Sequence, residues 1–343
     1  TIKNIKDHLS YVGRDEEGKS IYDRNMLFPT VRFTGTPKGH GTNAGVTLDV
    51  KTGEICAQSR ENIITVEKDN AGFAFFVHSN IETFKKIFDI IQKELSYEDK
   101  DYITLFGEWA GPGIQKGVGI SKIDKKSLFL FDIKVTYTDG TVDWYEPDYF
   151  MKEIGHGEIP ALREVHDDIY LMSDMGFYKI EIDLNDPKQV QNDLVEMTNK
   201  VEEDCPIGKY FGITENNVGE GIVWRTYING DVHRFKVKGE KHSSSKVKSI
   251  VPVDTEKLNS INEFVEYACT ENRMNQAIEY VFRQNSEVPD IRGTGAFLKW
   301  LVNDIIKEEL ETIKNSGLEP KEVTSTISTK ARKWYMNYLN TLV

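Results

Sequence analysis

Near residue 240 the hydrophobic pattern of this chain changes period, and neither one sheet nor one helical bundle can bury both parts. Over residues 31–238 the signals are mostly those of strands and hairpins. Residues 46–50 alternate and run into a Lys51-Thr52-Gly53 turn, while residues 128–135 are rich in β-formers and lead to Asp139-Gly140. Residues 223–228 and 232–237 flank Asn229-Gly230, a pair suited to the positive-φ positions of a two-residue hairpin turn. Helices are predicted at 81–95, where Phe84, Ile87, Phe88 and Ile91 share one face, and at 146–154. Beyond Val253 the spacing becomes helical: Leu258, Ile261, Phe264, Val265 and Ala268, then Phe297, Leu298, Leu301, Ile305 and Ile306, then Ala331, Trp334, Tyr335 and Tyr338. Pro289, Gly317 and Pro320 punctuate these stretches, which predicts a small bundle of three or more helices. The polar run over 239–246, with three consecutive serines, reads as a linker. The expectation is an α+β domain over 1–240, a linker over 241–253 and a small all-α domain over 254–343.

A chain of 343 residues fits about two domains. With 39% apolar and 29% charged residues it reads as soluble and globular. No apolar stretch approaches the roughly 20 residues of a membrane span; the Phe73-Ala74-Phe75-Phe76-Val77 run is strand-sized. Residues 1–14 hold no apolar segment of a signal peptide. Cys56, Cys205 and Cys269 form neither a disulfide framework nor a zinc motif, so a reducing cytoplasm is expected. A net charge of −12 argues against a protein that coats nucleic acid, because phosphate contacts need Lys and Arg. The average conceals one basic run: Arg234, Lys236, Lys238, Lys241, Lys246 and Lys248 are opposed only by Glu240. By itself it reads equally as a solvated linker or a phosphate-binding patch.

Three places could carry chemistry. The first is Pro37-Lys38-Gly39-His40-Gly41-Thr42-Asn43. A free lysine titrates near about 10.4, so only about one in a thousand is an unprotonated nucleophile at neutral pH. Desolvation or nearby cations would have to lower that value. Gly39 and Gly41 allow close backbone approach to a ligand, and His40, Thr42 and Asn43 crowd polar groups into one loop. The same residues also make an ordinary surface turn. The second place is Phe106-Gly107-Glu108-Trp109-Ala110-Gly111-Pro112-Gly113, where Glu108 at a strand end could accept a ribose hydroxyl; no Gly-Lys-Ser/Thr follows, so it is not a P-loop. It reads equally as a tight turn. The third is the hairpin from Glu220-Gly221-Ile222-Val223 through Asn229-Gly230 to Lys236 and Lys238, whose two lysines share a sheet face and would be satisfied by a phosphate. Strict register puts Glu220 on the opposite face, so a bulge or irregular strand start is predicted beside Gly219 and Gly221.

Taken in order, these segments resemble the motifs of covalent nucleotidyltransferases. Lys-Gly-His-Gly-Thr-Asn is similar to the Lys-x-x-Gly motif as used by ATP-dependent RNA ligases of the phage RNA ligase 2 and RNA-editing ligase family. Phe-Gly-Glu-Trp-Ala-Gly-Pro-Gly-Ile-Gln-Lys looks especially like the phage proteins. The resemblance covers about residues 31–240, and the helical tail matches that family's C-terminal domain in size and placement. It implies the DNA/RNA ligase and capping-enzyme type of fold, antiparallel sheets with flanking helices. It further implies that Lys38 forms a lysyl-AMP, with His40 and Asn43 supporting later steps and nucleotide contacts and Gly39 and Pro37 bordering the nucleotide. Arg60 would touch ribose and phosphate, Glu108 would hold the ribose, and Phe131 would stack on adenine with Asp132 beside it. Glu220 would bind the catalytic metal, and Lys236 and Lys238 the α-phosphate. Pro37 stands where relatives often have an acidic residue on the adenine amino group, so that contact must differ. Arg60 lies one residue further from Cys56-Ala57 than in near phage relatives, and Trp224-Arg225 replaces the usual aliphatic-lysine ending.

The reaction this implies uses ATP and Mg²⁺ (or Mn²⁺): adenylylation of Lys38, transfer of AMP to an RNA 5′-phosphate, then attack by a 3′-hydroxyl. Each step develops charge on non-bridging oxygens, for which the lysines and the metal are suited. The implied partner is RNA with a nick in a duplex, recognised by its A-form shape; a monomer in the cytoplasm, or in a phage-infected host's cytoplasm, is expected, with no membrane. Two alternatives remain open at this point. Another covalent nucleotidyltransferase, a DNA ligase or capping enzyme, would place a β-rich domain after Lys238; a catalytically inactive RNA-binding adaptor would keep the fold alone.

Overall fold

The structure is a computed structural model that describes residues 2–23, 25–60, 62–95, 99–150, 166–239, 261–282 and 287–342. The expected linker over 241–253, the 151–154 part of the second predicted helix, Leu258, and the basic residues Lys241, Lys246 and Lys248 lie outside the described residues. The chain divides into two compact units, one of Thr30–Asp183 with Lys200–Lys236, the other of Thr1–Pro29, Leu184–Asn199 and Val237–Val343.

The first unit is the α+β part, built on two sheets. The larger has seven strands: β4 (Thr42–Asp49), β5 (Ile55–Gln58), β6 (Ile63–Ile64), β7 (Lys100–Ala110), β8 (Ser127–Tyr137), β9 (Val142–Tyr145) and β10 (Ile169–Leu171), in the order β10-β8-β7-β4-β5-β6 with β9 also on β8. All pairings are antiparallel except β10 with β8. The smaller runs β11-β3-β12-β13, from β3 (Thr30–Pro37), β11 (Tyr178–Asp183), β12 (Gly221–Ile228) and β13 (Asp231–Lys238). Asn229 (φ 52°) and Gly230 (φ 82°) turn β12 into β13 with two positive-φ residues, as their types predict.

Side-chain alternation sorts the large sheet into two chemically distinct faces. Ala44, Val46 and Leu48 on β4, Ile103, Leu105 and Trp109 on β7, and Leu128, Leu130, Ile133 and Val135 on β8 point one way into a dry core. They are covered by α2 (Phe73–Ser79) and α3 (Ile81–Glu94), from which Phe84, Ile87, Phe88 and Ile91 are all buried, as their spacing predicts. Leu130 and Ile133 can both face that core because β8 carries an extra residue. Phe106 pairs with Asp132 and Gly107 with Leu130, which leaves Phe131 unpaired in a bulge. The opposite face carries the polar residues Asn43, Thr47, Thr104, Glu108 and Asp132.

One sequence expectation changes here. The strand-sized run at residues 73–77 is helical: the Asp69 carboxylate accepts the N–H groups of Ala74 and Phe75, and burial of Phe73, Ala74 and Val77 with Phe75 exposed follows a helical period. A short apolar run cannot by itself separate the two states.

In the second unit, α1 (Ile2–Ser10) precedes a hairpin of β1 (Tyr11–Arg14) and β2 (Ser20–Tyr22). Its C-terminal part is α-helical: α4 (Ile261–Ala268), α5 (Glu271–Val281), α6 (Thr294–Asn315) and α7 (Pro320–Asn340), with no strand among the described residues after β13. Phe264, Met274, Ile278, Phe297, Leu301, Ile305, Ile327 and Tyr335 form their core. Arg273 is buried against Glu309 (3.1 Å) and Asp304 (3.2 Å), and α6 departs from helical φ/ψ at Glu309. Among the described residues, no helix is long and apolar enough to cross a membrane.

Candidate active site

The segment carrying Lys38 passes from one sheet to the other. Pro37 closes β3 opposite Ile222 of β12, and the Lys38 N–H donates to the Gly221 carbonyl at 2.8 Å. Four residues later the chain is in β4, where Thr42 pairs with Trp109. Lys38, Gly39, His40 and Gly41 therefore bridge the two sheets, and both glycines are forced by crowding. A Cβ on Gly41 would lie 2.3 Å from the Trp109 carbonyl oxygen, and one on Gly39 would lie 2.9 Å from Glu108 Cγ.

Glu220 immediately precedes β12, and Gly221 has φ 141°, a conformation that favours glycine. This irregular strand start lets the carboxylate turn towards the lysine loop instead of following strict alternation. Its Oε2 lies 2.5 Å from Lys38 Nζ and 2.8 Å from His40 Nδ1. Glu220 is 3% exposed, Lys38 19% and His40 14%, so one nearly dry carboxylate joins two partly sheltered nitrogens. Lys38 Nζ also donates to the Gly39 carbonyl at 3.3 Å.

Glu108 closes the site from β7. Its Oε1 accepts the Gly41 N–H at 2.8 Å. Burial pushes its carboxyl above the usual range; the Lys38 ammonium and the Gly41 N–H oppose that, Glu220 adds to it, and Arg60 opposes it. Arg60 is exposed just beyond β5, so its charge is felt at the same carboxylate. Asn43 pairs directly with Glu108 across β4 and β7, on the same sheet face.

The bulge places Phe131 differently from its neighbours, partly buried, with the Arg225 guanidinium 5.3 Å from its ring centre. Asp132 is fully buried and committed elsewhere. It accepts from Tyr227 Oη (3.2 Å) and Arg234 Nε (3.0 Å), and Arg225 Nε lies 3.5 Å away. Arg225 in turn donates to Thr36 Oγ1 at 2.8 Å. Burial, with the Asp132 charge beside it, pushes the Tyr227 hydroxyl up. Asp132 thus holds two arginines in place and is not part of the Lys38 cluster. On β13, Lys236 is exposed, and Lys238 lies 3.7 Å from the Glu308 carboxylate within the second unit.

Of the residues singled out from the sequence, Lys38, Gly39, His40, Glu108 and Glu220 converge, with Asn43 and Arg60 beside Glu108. Arg225 and Met172 were not among them. Met172 Cε would lie 3.1 Å from a Cβ on Gly39, which makes it a wall of the lysine loop. Arg225 left a faint signal, as the one charged residue in the strand Gly221–Ile228. Chemically, the arrangement offers an amine, a carboxylate at hydrogen-bonding distance from it, and a second carboxylate held on the Gly41 N–H of the same loop.

A family model described as RNA ligase matches residues 31–238, more than half of the chain. Among solved structures, the chain is similar to the Naegleria gruberi RNA ligase with PPi, at 18% identity and TM-score 0.34, covering 60% of this chain and 49% of that one. Variants of the Naegleria enzyme with ATP and Mn (17%, TM-score 0.36) and with AMP and Mn (17%, TM-score 0.34) match over the same shares. The chain spans about half the length of these proteins, and the family assignment rests on the family model.

Proposed function

The chain belongs to the RNA ligase family, and on that premise we propose that it is an ATP-dependent enzyme sealing 3′-hydroxyl to 5′-phosphate RNA ends, at nicks in duplex RNA, in the manner of the phage RNA ligase 2 group. The observation that carries the reading is the Glu220 carboxylate bridging Lys38 and His40 at 2.5 and 2.8 Å, with Glu108 alongside.

In this reading Lys38 Nζ attacks the α-phosphorus of ATP. An N–P bond forms, the bond to pyrophosphate breaks, and Glu220 is within reach of the proton that Nζ must lose. AMP then passes to the RNA 5′-phosphate, and the 3′-hydroxyl displaces it to form the phosphodiester. Glu108 accepts a ribose hydroxyl, with Asn43, Arg60, Gly39 and Pro37 lining the nucleotide. Phe131 offers a ring face to adenine, Arg225 lies against that ring, and Asp132 serves by fixing Arg225 and Arg234. Lys236 and Lys238 meet the α-phosphate, and His40 supports the steps after adenylylation.

The donor set fits Mg²⁺ or Mn²⁺, because Glu220 supplies a hard carboxylate oxygen. Among the described residues no group of three or more His, Cys, Asp or Glu could hold an ion unaided, so nucleotide phosphates would complete its shell. Bound there, it would neutralise charge on phosphate oxygens. We further propose that residues 254–343 act as a helical domain after a 241–253 linker, that the basic run from Arg234 to Lys248 follows an RNA backbone, and that a monomer acts in the cytoplasm. Incubation with ATP, Mg²⁺ and either nicked duplex RNA or single strands tests the proposal. Sealing of the nick in preference to circularisation supports it; adenylylation with no sealing of any RNA would leave another nucleotidyltransferase, and no adenylylation at all an inactive adaptor.

A further inference from the structure

Within the second unit, α1, β2, Phe28 and residues 185–188 enclose a cleft of ≈ 710 Å³. Lys3, Lys6 and Lys188 line it together with the rings of Tyr22 and Phe28. None of the three lysines makes an ion pair among the described residues, in a chain whose net charge is −12. The Lys6 ammonium stands 5.1 Å above the centre of the Phe28 ring. Tyr22 is 42% exposed and braced edge-on by Tyr11, with ring centres 6.2 Å apart. Three carboxylates also border the cleft, but Asp23 accepts the Asn25 N–H and Asp186 accepts from Gln189 Nε2, leaving Asp7. Asn185 bonds the Phe28 backbone through both its amide groups, which fixes the wall that carries that ring.

Unpaired ammonium groups beside accessible ring faces are the chemistry that takes a phosphate and a flat base together. We propose that this cleft binds an unpaired nucleotide of the RNA, its base against Tyr22 and Phe28 and its flanking phosphates at Lys3, Lys6 and Lys188. The volume lies within the roughly 300–1,000 Å³ of small-ligand pockets, which admits one or two nucleotides and excludes a duplex with its bases stacked inside. A strand carrying both ring and phosphate engages the lysines and the rings together, whereas an acidic peptide would leave the ring faces unmatched. This inference rests on RNA as the substrate.

The test is fluorescence anisotropy of a labelled single-stranded oligoribonucleotide bound by the full chain over a KCl series. Lys3→Glu/Lys6→Glu/Lys188→Glu is expected to weaken binding tenfold or more and to reduce the slope of log affinity against log salt by about 2, from about 0.7 per phosphate contact. Tyr22→Ala is expected to weaken binding about tenfold with the slope unchanged, as loss of one stacking partner does. Circular dichroism confirms that each variant is folded, and uptake of label from α-labelled ATP, measured in parallel, should match the unsubstituted protein. Wild-type affinity and slope in either folded variant overturn the cleft. An unsubstituted protein that takes up no AMP instead sinks the ligase reading, and the binding comparison then stands as a separate result.

Discussion

Gly41 combines two things that no other residue type could combine there. Its N–H reaches Glu108 at 2.8 Å, and its missing Cβ leaves room for the Trp109 carbonyl oxygen. Gly41→Ala should therefore cost at least about 2 kcal/mol, since the obstacle is backbone and cannot swing aside; a lowered urea midpoint with unchanged slope would register it. Glu108 itself makes a pH prediction. Burial raises its carboxyl above the ordinary 4.5, so the folded protein keeps that proton to higher pH than the unfolded chain. Stability at this site is then fullest below about that value and falls as pH rises through the raised folded value. Glu108→Gln should accordingly flatten the stability profile above that value and raise Tm at neutral pH, while adenylylation falls a hundredfold or so; thermal melts across pH check the first and labelled ATP the second. At this scale the lysine loop was legible, because glycines around a lysine advertise close approach. Arg225 was not: its importance comes from Thr36, Phe131 and Asp132, which belong to other strands, and no local spacing encodes them.

The elements show where local pattern suffices and where tertiary packing overrides it. Helix α3 and the Asn229-Gly230 hairpin follow directly from periodicity and from the positive-φ tolerance of Asn and Gly. Helix α2 does not, since five apolar residues in seven fit either state and its decision comes from Asp69 and the sheet beneath. Asp69→Ala removes the acceptor of the Ala74 and Phe75 N–H groups and should destabilise the α+β unit by about 1 kcal/mol, read as a shift in chemical-denaturation midpoint. The β8 bulge was equally hidden. It sits opposite a close approach at Gly107, where a Cβ would lie 2.8 Å from the Phe129 carbonyl oxygen, and register across strands leaves little mark in either strand alone. In the helical part, Arg273→Met should cost about 3–5 kcal/mol by stranding Glu309 in a dry core. The Arg273→Met/Glu309→Met pair should recover most of that loss, and a pair no more stable than the single variant would contradict the pairing.

For the molecule as a whole, the change of period near residue 240 foretold a sheet-built part followed by helices, and the described residues after β13 are helical. What the sequence could not convey is how its acidic average is distributed. With a net charge of −12, the proposed RNA substrate would be met by a few local lysines and arginines, so raising KCl from about 0.05 to 0.2 M should depress RNA sealing far more than adenylylation of the protein by ATP. Equal sensitivity of the two would indicate a general effect of salt on the fold. Lys38, held by Glu220, is the proposed nucleophile. Incubating the protein with ATP and Mg²⁺, digesting it, and locating the AMP-bearing peptide by mass spectrometry tests this. One adenylylated residue is expected, Lys38, and none in Lys38→Ala. AMP on a different lysine, or undiminished uptake by Lys38→Ala, would overturn the assignment.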